Sequence, residues 1–450
     1  TRFSAPHCLE KRKRRTAIVR RFPALSAGLQ TPDFENSEGY SMKLQIVIYE
    51  DHLWRNFLPL TWTRPVYELR CGMFSLRERI ERLFPDARIS LLCRPMLQDV
   101  MEERQSSLPV NRVKGDEFLF INGRILADET FREEIDFSAG PVVYTHKGQV
   151  IAIRCGRSDA DDWLEPLRAQ QEISGEAAFP RKEITVNSVE YLWHLIGYNG
   201  QELGRDVGRI ESGSYAGDLP QGVYQTGTNA CLVHKSARLA PGVVIDTNRG
   251  DVVIESDVEV LPHVSIQGPV YIGRGSMITS GATLYGPVSL GPVCKVGGEV
   301  ENTIIQGFSN KKHDGFLGHS YLGEWINLGA GTNNSDLKNN YSTVKVAVDG
   351  RLTDSGQIMM GLIMGDHSKT AIGTRLNTGS VVGVSCNIFS SGFPPKFIPS
   401  FSWVGEEQTR EYILEKALAT AAVVMDRRGI SLSQAYQRML TLIHSETIQG

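Results

Sequence analysis

The chain has 450 residues, enough for two or three domains with sizeable cores, and a net charge of −3 that exerts no overall pull toward nucleic acid or a membrane surface. No apolar run approaches the roughly 18 residues that a bilayer-spanning helix requires. The seven cysteines (Cys8, Cys71, Cys93, Cys155, Cys231, Cys294 and Cys386) form no C-x-x-C pair, which predicts free thiols in a reducing cytoplasm rather than a disulfide framework.

Residues 1–41 carry a basic run, Lys11 to Arg15, then a polar stretch without periodicity or an apolar signal core. They are expected to be a disordered, dispensable tail, or sequence upstream of a start at Met42. Residues 42–207 alternate short apolar runs with helical stripes. Leu44 to Tyr49, Ile89 to Leu92, Phe118 to Ile121 and Val142 to Tyr144 read as strands, and Phe74 to Phe84 and Val189 to Ile196 as helices. That alternation predicts an α/β domain around a mainly parallel sheet. A Gly-, Ser- and Pro-rich linker spans 208–230.

From Ile254 to Val296 an apolar branched residue recurs at every sixth position: Ile254, Val260, Ile266, Ile272, Ile278, Leu284, Leu290, Val296. A small or β-branched residue stands two places before each. A period of six fits neither a helix nor an alternating strand, but it fits a chain wound as a prism of short flat strands and turns. Residues 231–404 are therefore predicted to form a left-handed parallel β-helix, a scaffold common among acyltransferases. The beat slips twice, at Gly307 to Gly318 and at Asn333 to Asp354, and such departures are where a binding loop or active site is expected. Residues 405–450 read as two helices capping the open end of the coils.

Acyl transfer to an amine needs a base, and histidine suits it. The stretch from His313 to Thr332, ending in Asn327-Leu-Gly-Ala-Gly-Thr332, resembles the acetyltransferase half of GlmU-type bifunctional enzymes. Gly365-Asp-His-Ser-Lys-Thr-Ala-Ile372 is similar to a further segment of archaeal-type relatives. Aligned without a gap, the resemblance implies His313 as the base, Glu301 orienting it, and His319 as second choice. It further implies that Asn327, Lys338 and Phe316 contact a sugar phosphate and that Ala330 lines the acetyl-CoA groove. Lys311 and Lys312 are candidates to replace the basic residues that the family carries where Asn302 and Thr303 stand here.

The front half is similar to sugar nucleotidyltransferases through Leu58-Pro-Leu-Thr-Trp-Thr-Arg-Pro65 and Phe120-Ile-Asn-Gly-Arg124. The Gly-rich phosphate loop is replaced by Asp51 to Phe57, and Arg124 stands where the family has a Mg²⁺-binding aspartate. Arg55, Arg64, Arg70 and Arg124, with Asn122, are the candidate phosphate and substrate contacts.

The resemblance implies an enzyme of nucleotide-sugar biosynthesis, a homotrimer with no nucleic-acid or membrane partner. It would use acetyl-CoA to acetylate a hexosamine 1-phosphate, and then a nucleoside triphosphate (UTP) with Mg²⁺ for uridylyl transfer. Two alternatives stay open: an acyltransferase whose front domain only binds nucleotide or sugar, and a non-catalytic regulatory protein. A zinc hydratase using His313, His319 and His367 is a weaker reading, and the sequence alone leaves any metal unassigned.

Overall fold

The computed structural model describes residues 44–173, 179–210 and 212–448; the expected tail at 1–41 lies outside them. The front half is built on six strands: β1 (Leu44–Tyr49), β2 (Arg88–Leu92), β3 (Glu117–Asn122), β4 (Val142–His146), β5 (Gln149–Gly156) and β6 (Arg181–Glu183). They lie in the order β2-β1-β3-β5-β4-β6. Three of the sheet's five strand pairings are parallel, as expected, and two are antiparallel. β1 runs parallel to β2 and β3, but β5 runs antiparallel to both β3 and β4. The cause is local: Lys147 and Gly148 both take positive φ, the two-residue turn that closes β4 and β5 into a hairpin.

Helix α1 (Leu76–Leu83) starts at a capping box, in which Ser75 accepts from the Glu78 amide and Glu78 accepts from the Ser75 amide. Helices α2 (Gln98–Arg104), α3 (Glu129–Glu134) and α4 (Arg157–Arg168) complete the front domain, and α5 (Leu192–Val207) leads out of it. No described helix is long and apolar enough to cross a membrane.

The six-residue beat does form a three-faced parallel β-helix. Every inward hexad residue from Ile254 to Val296 is at most 1% exposed. Ile254 stacks on Ile272 and Ile272 on Leu290, eighteen residues per coil. The coils begin earlier than expected, because Tyr224–Thr226, inside the predicted linker, already pairs with Val244–Asp246.

At the slips the coil length changes. Leu290 stacks on Ile305, fifteen residues on, and Ile305 on Leu322, seventeen on. The stretch 307–318 therefore stays within the coils, with Lys311 at an inward position. The real insertion is the second slip. Leu322 stacks on Met364, forty-two residues on, and the extra chain forms the hairpin Lys345–Val348/Arg351–Asp354.

Near the site, the first face holds Ile304–Ile305, Tyr321–Leu322 and Ile363–Met364; the second, Asn310, Asn327 and Lys369; the third, Glu299–Glu301, Phe316–Gly318 and Asn333–Asn334. The first face is covered by the front half. Trp193, Leu195 and Ile196 of α5 share one core with Ile304, Tyr321 and Val381.

The last coil strand is closed by a short strand, Thr409–Glu411, paired antiparallel to Ser402–Val404. Helices α6 (Leu414–Asp426) and α7 (Gln434–Ile448) therefore lie along the flank instead of over the open end. They pack against Val384 and Phe401 of the coils, and α7 against α2 of the front domain.

Candidate functional site

The predicted residues fall into three groups. The first surrounds the corner between the third and first faces. Asp336 Oδ2 lies 2.7 Å from His319 Nδ1. A carboxylate at one ring nitrogen holds the proton there, fixes the ring, and leaves Nε2 as the acceptor. Glu301 stacks on Gly318, and the His319 amide donates to the Glu301 carbonyl at 3.1 Å. A Cβ at Gly318 would strike both the Phe316 ring and the Asp336 carboxylate, so a side chain there would force one of them to shift. Asn334, turned inward, accepts from the Gly318 amide and donates to its carbonyl, both at 3.0 Å. Phe316, Gly318, His319 and Asp336 thus form one compact unit beside Glu301.

The second group lies at the corner between the second and third faces. His313, Asn327 and Ala330 line one cavity of about 360 Å³, with Lys295, Lys312 and Arg427 on its walls. Burial and the neighbouring charges of Arg428, Lys312 and Arg427 push the Lys295 ammonium below its ordinary range. None of these cations forms a salt bridge among the described residues. Arg428 donates to Asn310 Oδ1 at 2.7 Å, which ties the end of α6 to this wall.

The expected pairing of Glu301 with His313 is not made. His313 precedes the strand Phe316–Gly318 and His319 follows it, and Glu301 sits at the His319 end. The ungapped count ran along the chain, whereas stacking across coils sets Glu301 on Gly318, next to His319. Lys338 is also engaged locally, with its ammonium bonded to Ser342 Oγ and the Thr343 carbonyl of its own loop. Asp336 escaped notice, although it stands seventeen residues after His319, the length of the neighbouring coil.

The third group is the front-half arginines, which do not converge on a ligand. Arg124 is 1% exposed; it clamps Asp51 (Nη2 to Oδ2, 2.6 Å), the Val189 carbonyl (2.6 Å) and Gln149 (3.0 Å). Asn122 donates to Asp51 at 2.8 Å and accepts from the Arg124 amide at 3.0 Å. Burial raises the Asp51 carboxyl, but Arg124 and Asn122 outweigh it and hold it below the ordinary carboxylate value. Arg64 pairs with Asp366, Arg70 bonds the Met73 carbonyl, and Arg55 reaches Asp349 at 3.4 Å.

Mg²⁺ needs several hard oxygen ligands. At the strand ends the carboxylate Asp51 is already paired with an arginine, and no cluster of three or more His, Cys, Asp or Glu among the described residues is placed to hold a metal. With Asp51 held by Arg124, and Glu50 turned to Arg94 and the Val66 amide, these strand ends are a poor fit to the ion. His313, His319 and His367 occupy three different corners, so they do not gather into a zinc site within one chain.

Residues 46–215 match the family model described as sugar nucleotidyl transferase. The chain is 34% identical over 143 residues to a bifunctional sugar-1-phosphate nucleotidylyltransferase/acetyltransferase of Sulfurisphaera tokodaii, covering 31% of this chain and 36% of that one. It is 25% identical over 246 residues to the bifunctional protein GlmU of a Nostoc species, covering 52% of this chain and 44% of that one. These matches span less than half the length of the curated relatives. A solved hexapeptide transferase family protein from Anaplasma phagocytophilum aligns over 50% of this chain and 96% of its own at 15% identity, with a TM-score of 0.18. The nucleotidyltransferase-like front half, the β-helix behind it and these relatives together fit a divergent GlmU-like protein.

Proposed function

We propose that the β-helix transfers an acetyl group from acetyl-CoA to the amine of a hexosamine 1-phosphate, glucosamine 1-phosphate being the first substrate to try. The observation that carries this reading is the His319–Asp336 pair, 2.7 Å apart, in the corner where the coil repeat breaks. His319 Nε2 takes the proton from the amine as its nitrogen attacks the thioester carbonyl. The new C–N bond forms, the C–S bond breaks, and CoA leaves as the thiol. Asp336 orients the ring and stabilises the imidazolium. Phe316 offers the sugar an apolar wall.

The cavity at the other corner suits the phosphorylated end of the acyl carrier. Lys295, Lys312 and Arg427 supply positive charge, His313 and Asn327 supply polar contacts, and Ala330 lies on the wall. The two corners flank opposite ends of one strand. A complete site would therefore form where the cavity corner of one copy meets the His319 corner of the next, as in a cyclic trimer.

The test is CoA release from purified full-length chain supplied with acetyl-CoA and glucosamine 1-phosphate. His319→Asn and Asp336→Asn should each lower kcat, by roughly 10²- to 10⁴-fold for the base itself. His313→Ala should raise KM for acetyl-CoA instead. The base belongs to His313 if that variant alone abolishes turnover, and the acetyltransferase reading fails if no amino sugar phosphate supports CoA release.

A further inference from the structure

We infer that the front domain is a brace for the His319 corner and not a second catalytic unit. This rests on the acyl-transfer reading above.

The strand-end groups that would face a nucleotide are engaged internally. Asp51, Asn122 and Arg124 close on one another, with Arg124 almost wholly buried. A 3-10 helix, His52–Phe57, fills the place of a phosphate-cradling loop and turns Trp54 and Phe57 into the core. The two carboxylates there both face protein partners: Asp51 pairs with Arg124, and Glu50 accepts from the Val66 amide and lies 3.5 Å from Arg94.

The same segment reaches across to the β-helix. Arg64 and Thr63 both bond Asp366, at 2.5 and 2.8 Å for the shortest contacts. Tyr321, two residues after His319, is completely buried. Its hydroxyl accepts from the Arg70 amide at 2.8 Å and lies 2.9 Å from both the Arg70 carbonyl and Gln306 Oε1. Gln306 Nε2 in turn donates to the Glu68 carbonyl at 2.7 Å.

The chain leaving Asp336 is held in the same way. Val344, Val346, Ala347 and Val348, on or beside the inserted hairpin, pack with Phe57, Leu60 and Val66 of the front domain. Where that insertion returns, the Gly361 amide donates to the His319 carbonyl at 2.8 Å. Both segments that carry the His319–Asp336 pair are thus seated on the front domain. Tyr321 is a positioning residue: it fixes the strand beside the base without touching substrate.

Tyr321→Phe in the full-length chain removes the hydroxyl, so that the Arg70 amide and Gln306 oxygen keep only their 3.2 Å bond to each other and the Arg70 carbonyl loses its contact with the coil. Expected is a loss in kcat for CoA release of roughly ten- to a hundredfold, with KM for acetyl-CoA unchanged. Hydrogen–deuterium exchange should rise in peptides covering 316–325 and 336–361. Val346→Ala, which loosens the brace from the hairpin side, should raise exchange over the same two segments. The second arm supplies UTP, Mg²⁺ and N-acetylglucosamine 1-phosphate, and pyrophosphate release should stay at the blank.

Unchanged exchange in both variants overturns the brace, and pyrophosphate release that Asp51→Asn abolishes overturns the non-catalytic assignment. If the unaltered chain releases no CoA, the acyl-transfer reading fails, while the exchange and pyrophosphate arms still decide whether the front domain braces that corner.

Discussion

The Arg64 guanidinium meets both carboxylate oxygens of Asp366, at 3.0 and 2.5 Å, although the two residues are 302 positions apart in the chain. Each is at most 1% exposed. Asp366 also accepts from the Glu324 amide at 2.9 Å, so one carboxylate ties together the front domain and two coils. Removing one member of such a buried pair strands a charge. Arg64→Met should cost about 3–5 kcal/mol, read as a lower midpoint in chemical denaturation. Arg64→Met combined with Asp366→Asn should cost clearly less than the two single changes added together. Strict additivity would show that the pair is not energetically coupled.

Gly318 tests the dyad without touching a titrating group. Its φ is not in the left-handed region, so alanine there meets no backbone strain; the obstacle is the Phe316 ring and the Asp336 carboxylate. Gly318→Ala should push Asp336 off His319 and lower kcat for CoA release by roughly tenfold or more. The thermal midpoint should fall only modestly, because the new methyl displaces a corner side chain and not a coil. A variant as active as the parent would mean that the 2.7 Å contact is not needed for turnover.

The β-helix was legible because its physics is local and periodic. One inward residue in six is enough to define three faces, and Ile254 to Val296 bear this out residue by residue. The sheet of the front domain was only half legible, since its sense depends on the Lys147-Gly148 turn, two residues whose positive φ the apolar runs do not signal. The site was legible as a region but not as a set of partners. Neighbours across coils are 15 to 18 residues apart, so a change of one or two residues in coil length moves every partner. Counting along the chain joined Glu301 to His313, whereas stacking brings it to His319. The arginines misled for a different reason. Arg64 and Arg124 were read as ligands because charge is expected at a surface, yet each faces a buried carboxylate supplied from elsewhere in the fold.

Lys311 is the clearest case of a polar residue at an inward hexad position, and it makes a prediction about pH. Its ammonium donates to the carbonyls of Gly297 and His313, at 2.9 and 2.6 Å, bracing from inside the corner that carries the cavity. Burial lowers it to about 8, against an ordinary value near 10.4. Between those two values the unfolded chain binds a proton that the folded chain has released. Stability must therefore rise as pH rises through this window, and the cost of the buried charge is present in full below it. Lys311→Met abolishes the term. The stability of the parent minus that of Lys311→Met, from denaturant midpoints at several pH values, should climb by about 2–3 kcal/mol between pH 8 and 10.5 and be flat below pH 7. The subtraction cancels other groups that titrate there, including Lys369, which burial also lowers to about 8. Two parallel pH curves would mean that the Lys311 ammonium is as well solvated inside the coils as it is in the unfolded chain.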